Sequence, residues 1–188
     1  MPYRKNDFVP GCYYHAYNRG IDSKNIFYSK ENYNHFLRLC KKYNSKYQVE
    51  ITAYCLMPNH FHLLLKQLND IPISRFIQIT LNAYVQALNK QINRTGPLFV
   101  GRFRHVLVDK EEYLLHVVRY IHLNPTKAKL TEKPEEWPYS DYQDWIYSDI
   151  KKSFINQHFQ KLEGYEKFVK EYQREVLYVD LEKYYIDV

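Results

Sequence analysis

The 188-residue chain has little glycine and cysteine, and it lacks long apolar runs. Its five glycines stand against 20 tyrosines, and an aromatic content of 17% excludes a disordered or low-complexity chain. The three cysteines are odd in number and show no framework spacing, which predicts a reducing, intracellular environment. No apolar stretch approaches the length of a membrane span, and the first residues contain no hydrophobic signal region. We therefore expect a cytoplasmic protein that does not associate with a membrane.

Charge is unevenly distributed along the chain. Residues 1–130 contain 19 lysines and arginines against 8 acidic residues, a net charge of +11, whereas residues 131–188 contain 8 against 13, a net charge of −5. A basic body favours a polyanionic partner, and nucleic acid is the usual one. A solvated basic surface without a partner is the alternative.

Hydrophobic periodicity predicts a β-α-β-β-α-β order of elements. Strands are expected over residues 12–19, 49–56, 60–68 and 98–108, and helices over 30–47 and from 72 to about 94. This is the split pattern of a ferredoxin-like α+β sandwich, with one antiparallel sheet, helices on one face and the other face free for a substrate. A further helix is expected over residues 110–129, with Pro125 interrupting it.

Two histidines lie two residues apart at the start of the third predicted strand, in the segment LMPNHFHLLLK (56–66). Positions i and i+2 of a strand share a face, so His60 and His62 are expected to project to one side and Phe61 to the other. Two neutral imidazoles converging at a strand end form half of a metal site. Taken alone, the motif fits a histidine pair that binds no metal about as well as it fits a metal site.

Basic side chains are expected to contact phosphates. In the fourth predicted strand Arg102 and Arg104 alternate with Phe103, so their guanidinium groups are expected to share a face and grip phosphates. Lys90 and Arg94 extend this DNA-binding set, with bases stacked on exposed tyrosines. An edge strand protected by charge is the alternative for the arginine pair.

The helix predicted after this strand has three polar residues at intervals of four, His116, Tyr120 and Asn124, which therefore stack on one face. Two alternatives stay open here. Asn124 also fits the N-cap of a short helix beginning at Pro125, and Tyr120 fits an ordinary core tyrosine.

Four segments together resemble the HUH single-tyrosine (IS200-like) transposases, and specifically their REP-associated tyrosine transposase group. They are YHAYNRG (14–20), AYCLMPNHFHLLL (53–65), RTGPLFVGRFR (94–104) and YIHLNP (120–125). The resemblance covers roughly residues 12–140, and the combination is far more specific than any single segment. It implies an HUH catalytic domain over residues 1–145, followed by an acidic helical extension over residues 146–188.

The resemblance also implies a reaction. Tyr120 falls on the nucleophile, which would cleave and rejoin single-stranded or hairpin DNA through a 5′-phosphotyrosine and a free 3′-OH. His60, His62 and Asn124 fall on the ligands of a divalent metal. Mg²⁺ is the usual ion of the family, although two imidazoles would hold Mn²⁺ or Zn²⁺ more tightly.

Other hypotheses stay open from the sequence. A catalytically silent hairpin DNA-binding module derived from a transposase is the second functional hypothesis, and a ferredoxin-like RNA-binding or structural protein is the third. Tyr113 and Tyr84 are alternative nucleophiles, and His116 or His122 are candidates to move the proton of Tyr120. Some relatives exchange the catalytic helix between subunits and others act as monomers, so a homodimer and a monomer are both open.

Overall fold

A computed structural model of the protein describes residues 8–158 and 164–171. It contains a four-stranded antiparallel sheet in the order β2-β3-β1-β4. The strands are β1 (Tyr13–Arg19), β2 (Val49–Met57), β3 (His60–Gln67) and β4 (Arg104–Val108). With one helix between β1 and β2 and another between β3 and β4, the predicted ferredoxin-like order is confirmed.

Helices α1 (Lys30–Asn44) and α2 (Ile73–Gln91) cover one face of the sheet, which we call the helical face. Helix α1 forms because apolar residues recur with helical spacing, and Phe36, Leu39 and Cys40 are all buried against the sheet. Its N-cap is Ser29. The side-chain oxygen of Asn32 accepts the backbone N–H of Ser29 at 3.1 Å, which satisfies one donor at the helix start.

Helix α3 (Glu111–Lys127) lies on the opposite face, which we call the histidine face because His60 and His62 lie there. Three further helices surround α3, namely α4 (Tyr142–Tyr147), α5 (Asp149–His158) and α6 (Tyr165–Glu171). The prediction of a free face was therefore wrong. Val117, Val118 and Ile121 form an apolar stripe on α3, and this stripe is buried against the sheet and the later helices.

The fourth strand is shorter than predicted. It begins at Arg104 instead of residue 98, because the backbone bends over residues 100–102 and Gly101 adopts a positive φ of 77°. That conformation lies in the left-handed region, which glycine tolerates best and which is incompatible with an extended strand. Phe99 forms only an isolated bridge with Gly20.

Pro125 does not interrupt α3, contrary to the prediction. The helix continues through it to Lys127, and the backbone N–H of Ala128 still bonds to the carbonyl of Asn124 at 2.9 Å. The proline falls in the last turn, where only one backbone donor is lost before the helix ends. Asn124 is therefore a residue of α3, and the N-cap alternative is wrong.

The described part of residues 146–188 is helical, in α5 and α6. Helix α6 begins at Tyr165, and the last part of the expected helical extension, residues 172–188, lies outside the described residues. The division of the chain after residue 145 stays a prediction. Among the described residues, no helix is both long and apolar enough to cross a bilayer.

Candidate active site on the histidine face

His60 and His62 lie on β3, and their rings are 5.0 Å apart between centroids. Both rings are buried on the histidine face, and the intervening Phe61 packs on the opposite side, 5.4 Å from the ring of Phe36. Strand alternation therefore places the imidazoles together, as the sequence predicts.

Burial keeps both imidazoles neutral. It lowers the pKa of His60 to about 4, and the positive charge of Arg19 adds to this effect. It also lowers the pKa of His62 well below the usual histidine value, with the neighbouring His15 and His60 contributing. A neutral imidazole offers a nitrogen lone pair, which is the form that binds metals.

Asn124 faces these histidines from the last turn of α3. Its side-chain nitrogen donates to the carbonyl of Tyr120 at 2.8 Å and more weakly to that of Ile121 at 3.5 Å. The Ile121 carbonyl lacks its usual helical donor because Pro125 has no N–H. With the nitrogen held in this way, the amide oxygen is left for the histidines, and the Asn124 side chain acts to raise the pKa of both His60 and His62 against the larger effect of burial.

Tyr120 lies one helical turn before Asn124 and is 5% exposed. Its ring meets His62 edge-on at 5.5 Å between centroids, and it meets His15 in the same manner at 5.8 Å. The ammonium group of Lys127 lies 5.1 Å from the centre of the Tyr120 ring. The structure therefore brings Tyr120, Asn124 and the histidine pair together beneath α3.

The alternative tyrosines lie elsewhere. Tyr84 is on α2 at the helical face, where its hydroxyl donates to the carbonyl of Ile26 and burial raises its pKa. Tyr113 is near the start of α3, about two helical turns before Tyr120. Its hydroxyl lies 3.4 Å from the ammonium group of Lys110.

The histidines considered for proton transfer have other partners. His122 is hydrogen-bonded to Asp141 at 2.9 Å through Nε2 and to the Tyr165 hydroxyl at 2.8 Å through Nδ1. Both of its ring nitrogens are thus used on the side of α3 that faces α4 and α6. His116 is hydrogen-bonded to Arg119 at 2.8 Å.

Sequence reasoning missed His15. This residue of β1 is fully buried, and its Nε2 lies 3.0 Å from Nδ1 of His62. The signal was present in the alternation of YHAYNR, which places His15 and Tyr17 on one face of a strand. The pairing of β1 with β3 was needed to show which residues that face would meet.

The donor set fits a divalent metal. No cluster of three or more histidine, cysteine or acidic side chains that could hold a metal occurs within residues 8–158 and 164–171, so a third protein ligand must be of another type. The Asn124 amide oxygen is the candidate for this third position, and Nε2 of His62 is buried without a hydrogen-bond partner in this part of the chain. Two imidazole nitrogens and an amide oxygen suit Mn²⁺ better than Mg²⁺, which prefers oxygen ligands, with the remaining positions left for phosphate and water.

The predicted DNA-binding arginines separate onto two sides of the sheet. Arg104 is exposed on β4, directly opposite Tyr17 on the histidine face, and it acts to lower the pKa of Tyr17 against the larger effect of burial. Arg102 precedes the strand and lines a cleft beside α2, together with Gln78 and Asn82. The prediction that the two guanidinium groups share a face was therefore wrong, because the bend at Gly101 ends the alternation between them.

Lys90 and Arg94 also belong to the helical side of the molecule. Lys90 is exposed on the last turn of α2. Arg94 follows that helix and donates to the side chain of Asn89 at 3.0 Å, to the carbonyl of Gly96 at 3.3 Å and to the carbonyl of Pro97. It therefore orders its own loop, and its role toward DNA stays a prediction.

A family model described as IS200-like transposase matches residues 8–124. The chain belongs to this family. A Haemophilus influenzae protein named provisionally as a REP-associated tyrosine transposase is 26% identical over 156 residues, which cover 78% of this chain and 88% of that protein. The resemblance found in the sequence is confirmed.

Two solved structures are similar to this IS200-like transposase. A REP-associated tyrosine transposase bound to a REP hairpin matches with a TM-score of 0.64 at 19% identity, over 76% of this chain and 83% of that one. A transposase structure from Deinococcus radiodurans matches with a TM-score of 0.44 at 16% identity, over 72% and 98%. The first similarity shows a shared fold. Membership of the family supports a role in DNA processing.

Proposed function

We propose that this chain is a metal-dependent transposase that cleaves and rejoins single-stranded hairpin DNA through a covalent bond to Tyr120. The observation that carries the proposal is the convergence of four side chains from two elements. His60 and His62 from β3 meet Asn124 and Tyr120 from α3 in one buried site. A phenol beside a set of metal-binding donors is an arrangement that supports phosphodiester cleavage by tyrosine.

His60, His62 and Asn124 would hold the metal, Mg²⁺ or Mn²⁺. When bound, the ion neutralises the anionic oxygens of the scissile phosphate and polarises its phosphorus for attack. The protein prepares for this by keeping both imidazoles neutral through burial, so that neither must lose a proton before it binds a cation. The Asn124 oxygen is oriented by the bond from its own nitrogen to the Tyr120 carbonyl.

Tyr120 would form the covalent intermediate. Its phenolic oxygen loses a proton and bonds to phosphorus, while the bond from phosphorus to the 3′ oxygen breaks and that oxygen takes up a proton. The products are a 5′-phosphotyrosine and a free 3′-OH. Because one phosphoester replaces another, a 3′-OH from a second DNA end can reverse the step and rejoin the strand.

DNA would reach the site from the β4 edge of the histidine face. Arg104 is exposed at this edge, with β1 between it and the histidine pair on β3, and a guanidinium group can bind phosphate through two donors. The similar structure that contains a REP hairpin supports hairpin DNA as the substrate class. Arg102, Lys90 and Arg94 would contact parts of the hairpin that extend toward α2.

The test uses 5′- and 3′-labelled single-stranded hairpin oligonucleotides with Mg²⁺, Mn²⁺ or EDTA. We expect a covalent protein–DNA adduct that carries the label of the fragment downstream of the cut. It should require the metal, and it should disappear in Tyr120→Phe.

Tyr113→Phe is the matched control, since it removes the same hydroxyl about two turns away on the same helix. An adduct that persists in Tyr120→Phe and disappears in Tyr113→Phe would move the nucleophile. Tight hairpin binding without an adduct in any metal would favour the catalytically silent DNA-binding module.

A further inference from the structure

His15 is a buried polar residue to which the proposed reaction gives no role. It lies on β1, diagonally across the strand pair from His62, whose direct partner is Tyr17. The two imidazole rings are 5.1 Å apart between centroids and inclined by 31°. Their facing nitrogens, Nε2 of His15 and Nδ1 of His62, are 3.0 Å apart, which is hydrogen-bond distance.

One proton must lie between these two nitrogens. A neutral imidazole carries a single N–H, on one ring nitrogen or on the other. If His15 supplies the shared proton, the N–H of His62 falls on Nε2. That nitrogen is buried and has no hydrogen-bond partner within the described residues, and a proton on it would occupy the position at which His62 binds the metal in the proposed site.

The opposite arrangement removes this difficulty. If His62 carries its proton on Nδ1 and donates it to His15, then Nε2 of His62 holds a lone pair directed into the site. A metal ion can bind such a lone pair, which accepts no hydrogen bond from the protein. Metal-binding histidines generally donate their second ring N–H to a neighbouring acceptor, which fixes the tautomer and the ring orientation.

We infer that His15 is a positioning residue that accepts the Nδ1 proton of His62 and thereby holds Nε2 of His62 ready to bind the metal. The inference rests on the proposed function, because it assumes that the histidine face holds a cation. His15 touches neither metal nor DNA in this role. It acts through His62, and the ring of Tyr120 lies beside it, 5.8 Å from His15 between centroids.

The first test is made on the metal-free protein. Nitrogen-15 NMR of the histidine rings distinguishes a protonated nitrogen from one with a lone pair. We expect His62 to carry its proton on Nδ1 in the wild type and in His15→Gln, whose amide oxygen is also an acceptor. A wild-type spectrum with the proton on Nε2 of His62 would overturn the inference.

The second test measures Mn²⁺ affinity from the concentration of free ion in electron paramagnetic resonance. His15→Phe keeps a buried ring but removes the acceptor, and we expect it to weaken Mn²⁺ binding by about 10- to 100-fold, the usual effect of losing such a partner. His15→Gln should restore most of the affinity. His35→Gln, a substitution on α1 at the helical face, is the matched control and should change nothing. Thermal unfolding of each variant reports its folding.

The outcomes separate the two proposals. Wild-type Mn²⁺ binding with unchanged affinity in His15→Phe would overturn the role of His15 and leave the proposed function standing. A wild type that binds neither Mn²⁺ nor Mg²⁺ would overturn both, while the NMR measurement would still decide the direction of the hydrogen bond.

Discussion

Both faces of the sheet are covered by apolar side chains, but the histidine face also buries a cluster of imidazoles beside a phenol. Strand β1 shows the contrast within four residues, since Tyr14 and Ala16 belong to the helical face and His15 and Tyr17 to the histidine face. On the helical face, Phe36 packs against Phe61 and other aromatic rings. On the histidine face, the corresponding positions hold imidazoles and a phenol.

Burial therefore has a different consequence on each face: it stabilises the fold on the helical face, and it sets the protonation of the histidines on the other. Apolar burial on the helical face lowers the free energy of folding in proportion to the area removed from water. Burial on the histidine face disfavours charge instead, which lowers the pKa of His60 and His62 and leaves Nε2 of His62 without a hydrogen bond in the described structure. Substitutions on the two faces should therefore have opposite signatures.

The largest expected effect is on activity, from His60→Ala. We expect formation of the covalent adduct to slow by about 1,000-fold or more, roughly 4 kcal/mol in the activation barrier, because the phosphate charge is no longer neutralised. Thermal unfolding should shift little, since His60 lies at the strand end beside the turn at Asn59. His35→Ala on α1 is the control. A loss of activity that only follows a loss of folded protein would contradict the contrast.

Phe36→Ala is the complementary substitution on the helical face. The ring is fully buried, so its removal should lower the free energy of unfolding by about 3–5 kcal/mol, as measured by urea denaturation. The adduct rate per folded molecule should stay unchanged at low temperature, where the variant is folded. A slower rate in fully folded Phe36→Ala would show that the two faces are coupled.

Asp141→Asn tests the attachment of α3 to the later helices. The Asp141 carboxylate accepts the backbone N–H of Tyr54 at 2.7 Å and the indole N–H of Trp145 at 3.1 Å, and it is hydrogen-bonded to His122 at 2.9 Å. An amide offers one acceptor oxygen in place of two, so unfolding should become easier by about 1–3 kcal/mol. Asp144→Asn, exposed on α4, is the matched control. Equal unfolding free energies for the two variants would contradict the role of this network.

The smallest expected effect is on DNA binding, from the two separated arginines. Arg104→Gln should weaken hairpin affinity a few-fold and reduce the slope of log affinity against log salt by about 0.7, the value for one phosphate contact on a single strand. It should also slow adduct formation at saturating DNA, because Arg104 lies on the histidine face. Arg102→Gln should change affinity only. The same effect of both variants on the rate at saturation would contradict their placement on different sides.

Much of the fold and part of the site could be predicted from the sequence. Strand alternation is a local property, so it was enough to place His60 and His62 on one face and Phe61 on the other. Helical spacing was enough to stack Tyr120 and Asn124 on α3. Family resemblance supplied the chemical roles, which stay predictions.

Other features depended on local details that a pattern does not reveal. The positive φ of Gly101 ended the alternation that had placed Arg102 beside Arg104. The tolerance of α3 for Pro125 came from the position of the proline in the last turn, together with the side chain of Asn124, which donates to a nearby carbonyl. In both cases the effect of a residue with a strong conformational preference depended on its position in the structure.

The sequence by itself determined the order of the elements and the face on which each strand residue lies, because both follow from the periodicity of neighbouring residues. Only the tertiary structure decided which of those faces meet. His15 and His62 are 47 residues apart, and they touch because β1 pairs with β3 in one particular register. Tyr120 contacts these two histidines because the apolar stripe of α3 is buried on the same side of the sheet. Strand register and the position of a helix on the sheet depend on the burial of many side chains that are distant in sequence, so a short motif does not predict them.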